Sequence, residues 1–293
     1  MTEAKSPEEL QKDLEQLKGW VAQQPHMPKD MDDKLLRRFL HSCYYDMGKA
    51  QKAMETFSSL RASSPELFKN RDPLSAETQH FLKIINIGHV KASGNRDLWL
   101  WQLNDPGLEK FDYLQDARLF FLTSDAWLLE ADHLADCDIV VLDTKDITLR
   151  ILTKLNISVA RKLGKYQEEA MPIRLKQIHI YNAPGFIDKI FSVMKQFLHK
   201  DMAEMIHFHL PNSDTLYKYI SKDDLPSDFG GNLPSMSEHM ERVLKVLYKH
   251  RETLLNDNLW TAPEKKSKKK SKNASAVVTQ STDEMSFRSL AID

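Results

Sequence analysis

The 293-residue chain has only two cysteines, Cys43 and Cys137, far apart and without Cys-x-x-Cys spacing. That excludes a disulfide scaffold and suits a reducing compartment. Nine glycines leave little room for a phosphate-cradling loop, and no Gly-x-Ser-x-Gly elbow, Gly-rich nucleotide loop or locally supported Cys/His pair occurs. Catalysis is therefore not expected. No uncharged apolar run approaches the roughly 18 residues that span a bilayer. The opening residues, Met1-Thr2-Glu3-Ala4-Lys5, carry no apolar signal-peptide segment, so a cytoplasmic protein is expected, with any membrane role peripheral. Net charge is −1, too small for a global field that would attract nucleic acid.

What is present is an ordinary globular composition, 41% hydrophobic and 28% charged. The charge is unevenly placed. Residues 261–293 hold six lysines and one arginine against four acids, which leaves the body mildly acidic. Six of those lysines fall within Lys265 to Lys272, in a Lys/Ser/Ala/Thr-rich stretch that describes a disordered tail. Such a run attracts anionic lipid at about 1 kcal/mol per lysine near a charged leaflet, and adjacent phosphoserine would cancel that attraction. A solvated tail and a nuclear-localisation signal are the other readings.

The first third reads as helices. Ser6-Pro7-Glu8-Glu9 forms a capping box with proline at the first helical position, and Leu10, Leu14, Leu17 and Val21 mark one face. Leu35, Leu36, Phe39 and Leu40 stripe a second helix, and Ala53, Met54, Phe57 and Leu60 a third over Lys49 to Leu60, with no strand expected before residue 95. From about residue 97 strands and helices alternate. Strands are expected at Leu98 to Leu103, Asp138 to Asp143 and Arg174 to Asn182, with helices at Phe111 to His133 and Ile147 to Lys165. Helices of that length between strands imply crossovers and a mostly parallel sheet. Ser235 and Glu238 open a last helix with another capping box. The expected organisation is a helical module at 5–75, an α/β domain at 85–255 and a Lys-rich tail at 261–293.

Between Phe186 and Ile206, Ile187, Ile190, Phe191, Met194, Phe197, Leu198, Met202 and Met205 recur at three- and four-residue steps, with charges opposite. Pattern alone allows two readings. One is a surface helix packed on the sheet; the other is a gate whose adaptable Met and Phe side chains face a greasy cavity.

Three stretches together resemble the CRAL-TRIO family of lipophilic-ligand carriers, which includes tocopherol-transfer, retinaldehyde-binding and clavesin-like proteins. They are Leu35-Leu36-Arg37-Arg38-Phe39-Leu40, then Pro172 through Pro184 with its Ile178-His179-Ile180-Tyr181-Asn182 core, and Leu225-Pro226-Ser227-Asp228-Phe229-Gly230-Gly231. The resemblance implies an α/β fold, with an N-terminal helical bundle followed by a lipid-binding cage whose mostly parallel sheet is closed by a lid helix. It places the lid at Phe186 to Ile206, with Ile178, Ile180, Ile187, Ile190, Phe191, Met194, Phe197, Leu198 and Met202 as pocket and lid residues. It further implies a monomeric, non-enzymatic carrier without cofactor. One hydrophobic small molecule or lipid would be held in a closed pocket and exchanged by transient contact with membranes. The alternative is a lipid-dependent regulatory platform that binds a partner without transfer.

Some family members read a phosphoinositide head group near the lid, and Arg174 and Lys176 occupy positions that are basic in those members. Asp201, Met205 and Cys43 stand at three further positions where such members are basic, and Asp146 replaces a usual glycine. Losing several charge-assisted contacts weakens a phosphate site severely. His207 and His209 share a side if extended, but no third ligand is evident, so no metal is expected. His179 reads as a satisfied core histidine or a ligand contact, and Asp143 as a structural carboxylate at a strand end.

Overall fold

The computed structural model describes residues 5–261 apart from residue 199, and the backbone alone at Phe197. Helices come first because the caps and apolar stripes agree. In α1 (Pro7–Gln23) the Ser6 hydroxyl accepts from the Glu9 amide at 3.2 Å, while the Glu9 carboxylate accepts from the Ser6 amide at 2.7 Å. Asp32 caps α2 (Asp33–Ser42), which buries Leu35, Leu36, Phe39 and Leu40. The next helix, α3 (Met47–Ser63), outruns its expected bounds at both ends, and Asp46 caps its start. Two short helices follow, α4 (Pro65–Phe68) and α5 (Ala76–Phe81).

The five described strands form one sheet in chain order: β1 (Ile85–Ala92), β2 (Arg96–Leu103), β3 (Cys137–Asp143), β4 (Leu175–Tyr181) and β5 (Ile206–Phe208). The β1–β2 pair is an antiparallel hairpin; every other pairing is parallel. The expectation of no strand before residue 95 is overturned by β1. His89 and Lys91 break the alternation that Ile85 and Ile87 begin, so pairing and packing must supply what the local pattern withholds. Ser93-Gly94-Asn95 closes the hairpin with positive φ at Gly94 and Asn95. Gly88 is bare for a reason: a Cβ there would stand 3.2 Å from the His239 Cβ on the helix packed above.

The crossovers are α6 (Tyr113–Glu130), then α7 (Ile151–Lys154) with α8 (Ile157–Glu169). The continuous helix expected over Ile147 to Lys165 is thus broken. Asn156 leaves the helix and caps α8 by accepting from the Val159 amide at 3.1 Å. The amphipathic segment resolves into α9 (Ile187–Met194), a 3₁₀ turn at Lys195–Phe197 and α10 (Lys200–Glu204). The Ser235/Glu238 box opens α11 (Met236–Lys249), followed by α12 (Arg251–Leu254) and α13 (Asp257–Trp260). No described helix is long and apolar enough to cross a membrane.

A buried ion cluster joins the N-terminal helices to the crossover helices. Arg61 of α3 donates to both Asp125 oxygens on α6, at 2.9 and 2.6 Å, and to the Tyr166 hydroxyl on α8 at 2.8 Å. Arg71 donates to the same carboxylate at 2.8 Å. The Arg61 guanidinium also lies over the rings of Phe57, Phe68 and Trp260, 4.0 to 4.8 Å from their centroids.

Candidate functional site

Strand pairing builds the floor of a cavity. Because side chains alternate, the register aligns two rows on one face of the sheet. One row runs His89, Trp99, Val140, Ile178, Ile206; the next runs Ile87, Trp101, Leu142, Ile180, Phe208. All ten line a cavity of about 340 Å³. Only Ile178 and Ile180 of these were expected. The others follow from phase, since any residue paired with Ile178 or Ile180 points the same way, but the phase is fixed only once the pairing is known.

One wall is the α6 stripe Tyr113, Asp116, Phe120 and Thr123, spaced at helical steps. Another wall is the amphipathic segment: Ile187, Ile190, Phe191 and Met194 of α9, then Leu198 and Met202, all line the cavity. The Phe191 ring meets Phe208 at 5.1 Å, edge to face, which ties α9 to the floor. The side chain of Phe197 lies outside the described residues, as does the lysine run. The structure therefore brings every other expected pocket and lid residue to one cavity.

Few polar groups interrupt this lining. Thr123 is satisfied by the Leu119 carbonyl at 2.9 Å. Asp143 accepts from Gln102 at 3.1 Å and from Asn182 at 2.9 Å, so it fastens strand ends together. Asp116 Oδ1 and Ser124 Oγ have no partner, and burial pushes the Asp116 carboxyl up to about 7. His89 stacks on Trp127 at 4.7 Å, and burial, reinforced by His239, lowers its pKa to about 3.

That shift has a thermodynamic consequence. A histidine of ordinary pKa when unfolded and about 3 when folded lends stability that is complete above about pH 6.5 and is lost as pH falls toward 3. Replacing it with phenylalanine, His89→Phe, removes that loss. Thermal melts should show the stability of the variant relative to wild type rising steadily from about pH 7 to about pH 4. A pH-independent difference would assign the titration elsewhere.

The back of the sheet holds His179, His207 and His209. His179 Nδ1 lies 2.9 Å from His209 Nε2, and His209 Nδ1 lies 2.8 Å from the Thr215 hydroxyl. His179 is fully buried, stacks 5.2 Å from His207, and faces away from Ile178 and Ile180. Its partners make it a satisfied core histidine. Among the described residues no group of His, Cys, Asp and Glu is arranged to hold a metal ion.

Arg174 and Lys176 line a second groove of about 420 Å³ together with Cys43, Asp201 and Met205, the three residues that interrupt the family's basic pattern, and it shares Met202 with the main cavity. Both cations are engaged. Arg174 donates to the His41 carbonyl at 2.8 Å and to Asp136 at 3.1 Å, with its guanidinium 4.3 Å from the Tyr44 ring centroid. Lys176 donates to the Tyr44 hydroxyl. Glu168, Glu169 and Asp201 add acidic side chains to the same groove.

A family model described as the CRAL/TRIO domain matches residues 84–231, and one described as a Pinta-like UBA domain matches residues 6–78. The chain is 23% identical over 235 residues to "Alpha-tocopherol transfer protein-like" of Homo sapiens, covering 77% of this chain and 66% of that protein, slightly less than two thirds. It is 24% identical over 237 residues to "Clavesin-1" of Xenopus laevis, covering 78% of this chain and 70% of that protein. The crystal structure of Sfh5 superposes with a TM-score of 0.50 at 11% identity, over 85% of this chain and 99% of the other, so that likeness is one of fold. With half its length matched by the CRAL/TRIO model and that half folded around a cavity between sheet and helices, the chain belongs to the CRAL/TRIO domain family.

Proposed function

We propose that the chain is a non-enzymatic, monomeric cytoplasmic carrier that closes over one hydrophobic small molecule or lipid and exchanges it at membranes. The observation that carries this reading is the cavity itself, floored by two rows of side chains and walled by α9 and α10. Apolar surface removed from water is worth about 25 cal/mol per Å². A lipophile filling the cavity supplies such surface without needing directional contacts, as in small-molecule sites generally. Relatives named for tocopherol transfer support a transfer role for the same fold.

The exit is the α9–α10 segment. The two helices are eight and five residues long and are separated by a 3₁₀ turn, and α9 starts without a side-chain cap. Short, weakly capped elements open at lower cost than core helices. Opening there exposes Met and Phe side chains to a bilayer. Added to donor vesicles loaded with a fluorescent lipophile, the protein should speed transfer to acceptor vesicles above the spontaneous rate. Binding without acceleration would favour a lipid-dependent platform over a carrier.

Phosphoinositide-triggered release has weak support, because Arg174 and Lys176 already have partners and the groove around them is acidic. With the six lysines of residues 265–272 changed to glutamine, binding to vesicles containing phosphoinositide should match binding to vesicles of equal charge made with phosphatidylserine. Strong selective binding by that variant would restore Arg174 and Lys176 as phosphate contacts.

A further inference from the structure

The cavity contains one group that an indifferent hydrocarbon container does not need. Asp116 points from the first turn of α6 into a mostly apolar lining. The Trp101 indole on β2 is the neighbour that favours the charged form of its carboxyl, while Oδ1 is sealed from water without a partner. A carboxyl left part-satisfied in an apolar site costs stability, and leucine at the same place would extend the stripe of Tyr113, Phe120 and their neighbours at no such cost. The Asp side chain is soft about χ2, so its two oxygens exchange readily and either can be offered to the cavity.

We propose that Asp116 is the polar anchor of the cavity and selects lipophiles that end in a hydroxyl, whose O–H donates to its carboxylate. This rests on the carrier reading and names the class of ligand the cavity takes. A hydroxyl brings the missing donor and no second charge. A fatty acid brings a second carboxyl, and two such groups in one dry site cannot both ionise. A hydrocarbon or a methyl ether leaves the carboxylate unpaired. The other titratable groups of the lining are Tyr113 on the same helix, His89 on β1 and Asp143 on β3, with Asp112 at the helix cap. His89 is neutral near neutrality and burial holds the Tyr113 hydroxyl protonated, so neither competes as an anion.

The test uses the full chain and the apolar fluorophore diphenylhexatriene, displaced in turn by dodecan-1-ol, 1-methoxydodecane, dodecane and dodecanoic acid. Diphenylhexatriene has no hydroxyl, so its binding reports the cavity alone. Its failure to bind would sink the carrier reading itself. Given binding, dodecan-1-ol should displace it about ten-fold better than the methyl ether, the worth of one hydrogen bond to a charged group. That preference should grow from about pH 6 to about pH 8 as the carboxyl ionises. In Asp116→Leu the preference of alcohol over ether should fall below about three-fold. In Asp116→Asn, which keeps an acceptor, the pH dependence should vanish. Equal displacement by alcohol and ether in the wild type overturns the proposal whatever the variants do. An undiminished preference in Asp116→Leu, or an unchanged pH dependence in Asp116→Asn should the leucine variant not fold, overturns it too.

Discussion

Replacing Asp125 by alanine should lower the melting temperature by about 10 °C or more, the largest loss expected of any single change in this fold. Its carboxylate accepts from both Arg61 and Arg71, and all three side chains are almost wholly buried. Removing one partner of a buried ion pair costs about 3–5 kcal/mol, because the other charge stays desolvated and unpaired. Two guanidinium groups would be stranded here, against a total stability of about 5–15 kcal/mol. The rings around Arg61 cushion its charge but cannot replace two charge-assisted hydrogen bonds. Asp125→Asn, which keeps part of the hydrogen bonding, should fall between alanine and wild type. For comparison, removing the surface pair of Lys5 and Asp13 should cost less than about 1 kcal/mol. Calorimetry on the three variants gives the order, and a melting point within about 2 °C of wild type for Asp125→Ala would show that the cluster does not hold the helices together.

Filling the cavity is the second large effect. Ile180 lies in the middle of the floor, paired with Leu142 on one side and Phe208 on the other. Ile180→Trp adds a ring directed into empty space, so it avoids the overpacking that enlargement usually causes in a full core. The expected result is separation of stability from binding. The melting temperature should move by no more than a few degrees, while lipophile binding falls by at least about a hundred-fold, because the added ring occupies volume the ligand requires. Diphenylhexatriene fluorescence reads the binding. Unchanged binding in a folded Ile180→Trp chain would move the ligand out of this cavity.

The sequence revealed these features unequally, and the differences have physical causes. The α9–α10 segment was legible because eight apolar residues keep helical phase over nineteen positions, and so long a run in phase marks an amphipathic helix or a tandem pair. Ile178 and Ile180 came to the pocket through the family resemblance, and the alternation of β4 puts both on one face. Trp99, Trp101, Val140 and Leu142 were not assigned to the floor, since β2 and β3 are apolar on both faces and only pairing distinguishes those faces. The first strand was missed because its glycine serves a close approach of His239 rather than a local pattern. Asp116 carried no signal at all: among helical residues one carboxylate usually marks the solvent side, and its place beside Trp101 depends on tertiary packing. The positions of Arg174, Lys176, Cys43, Asp201 and Met205 around one groove came from family resemblance rather than spacing, because they are drawn from three separate segments.

The central claim is that a single lipophile occupies the cavity. Native mass spectrometry of the full chain, mixed in turn with tocopherol, retinoid, carotenoid, sterol and phospholipid, tests it most directly. The account predicts one ligand per chain for at least one class, lost in Ile180→Trp and accompanied by protection against heating. No bound lipophile and no protection with any of the five would contradict it.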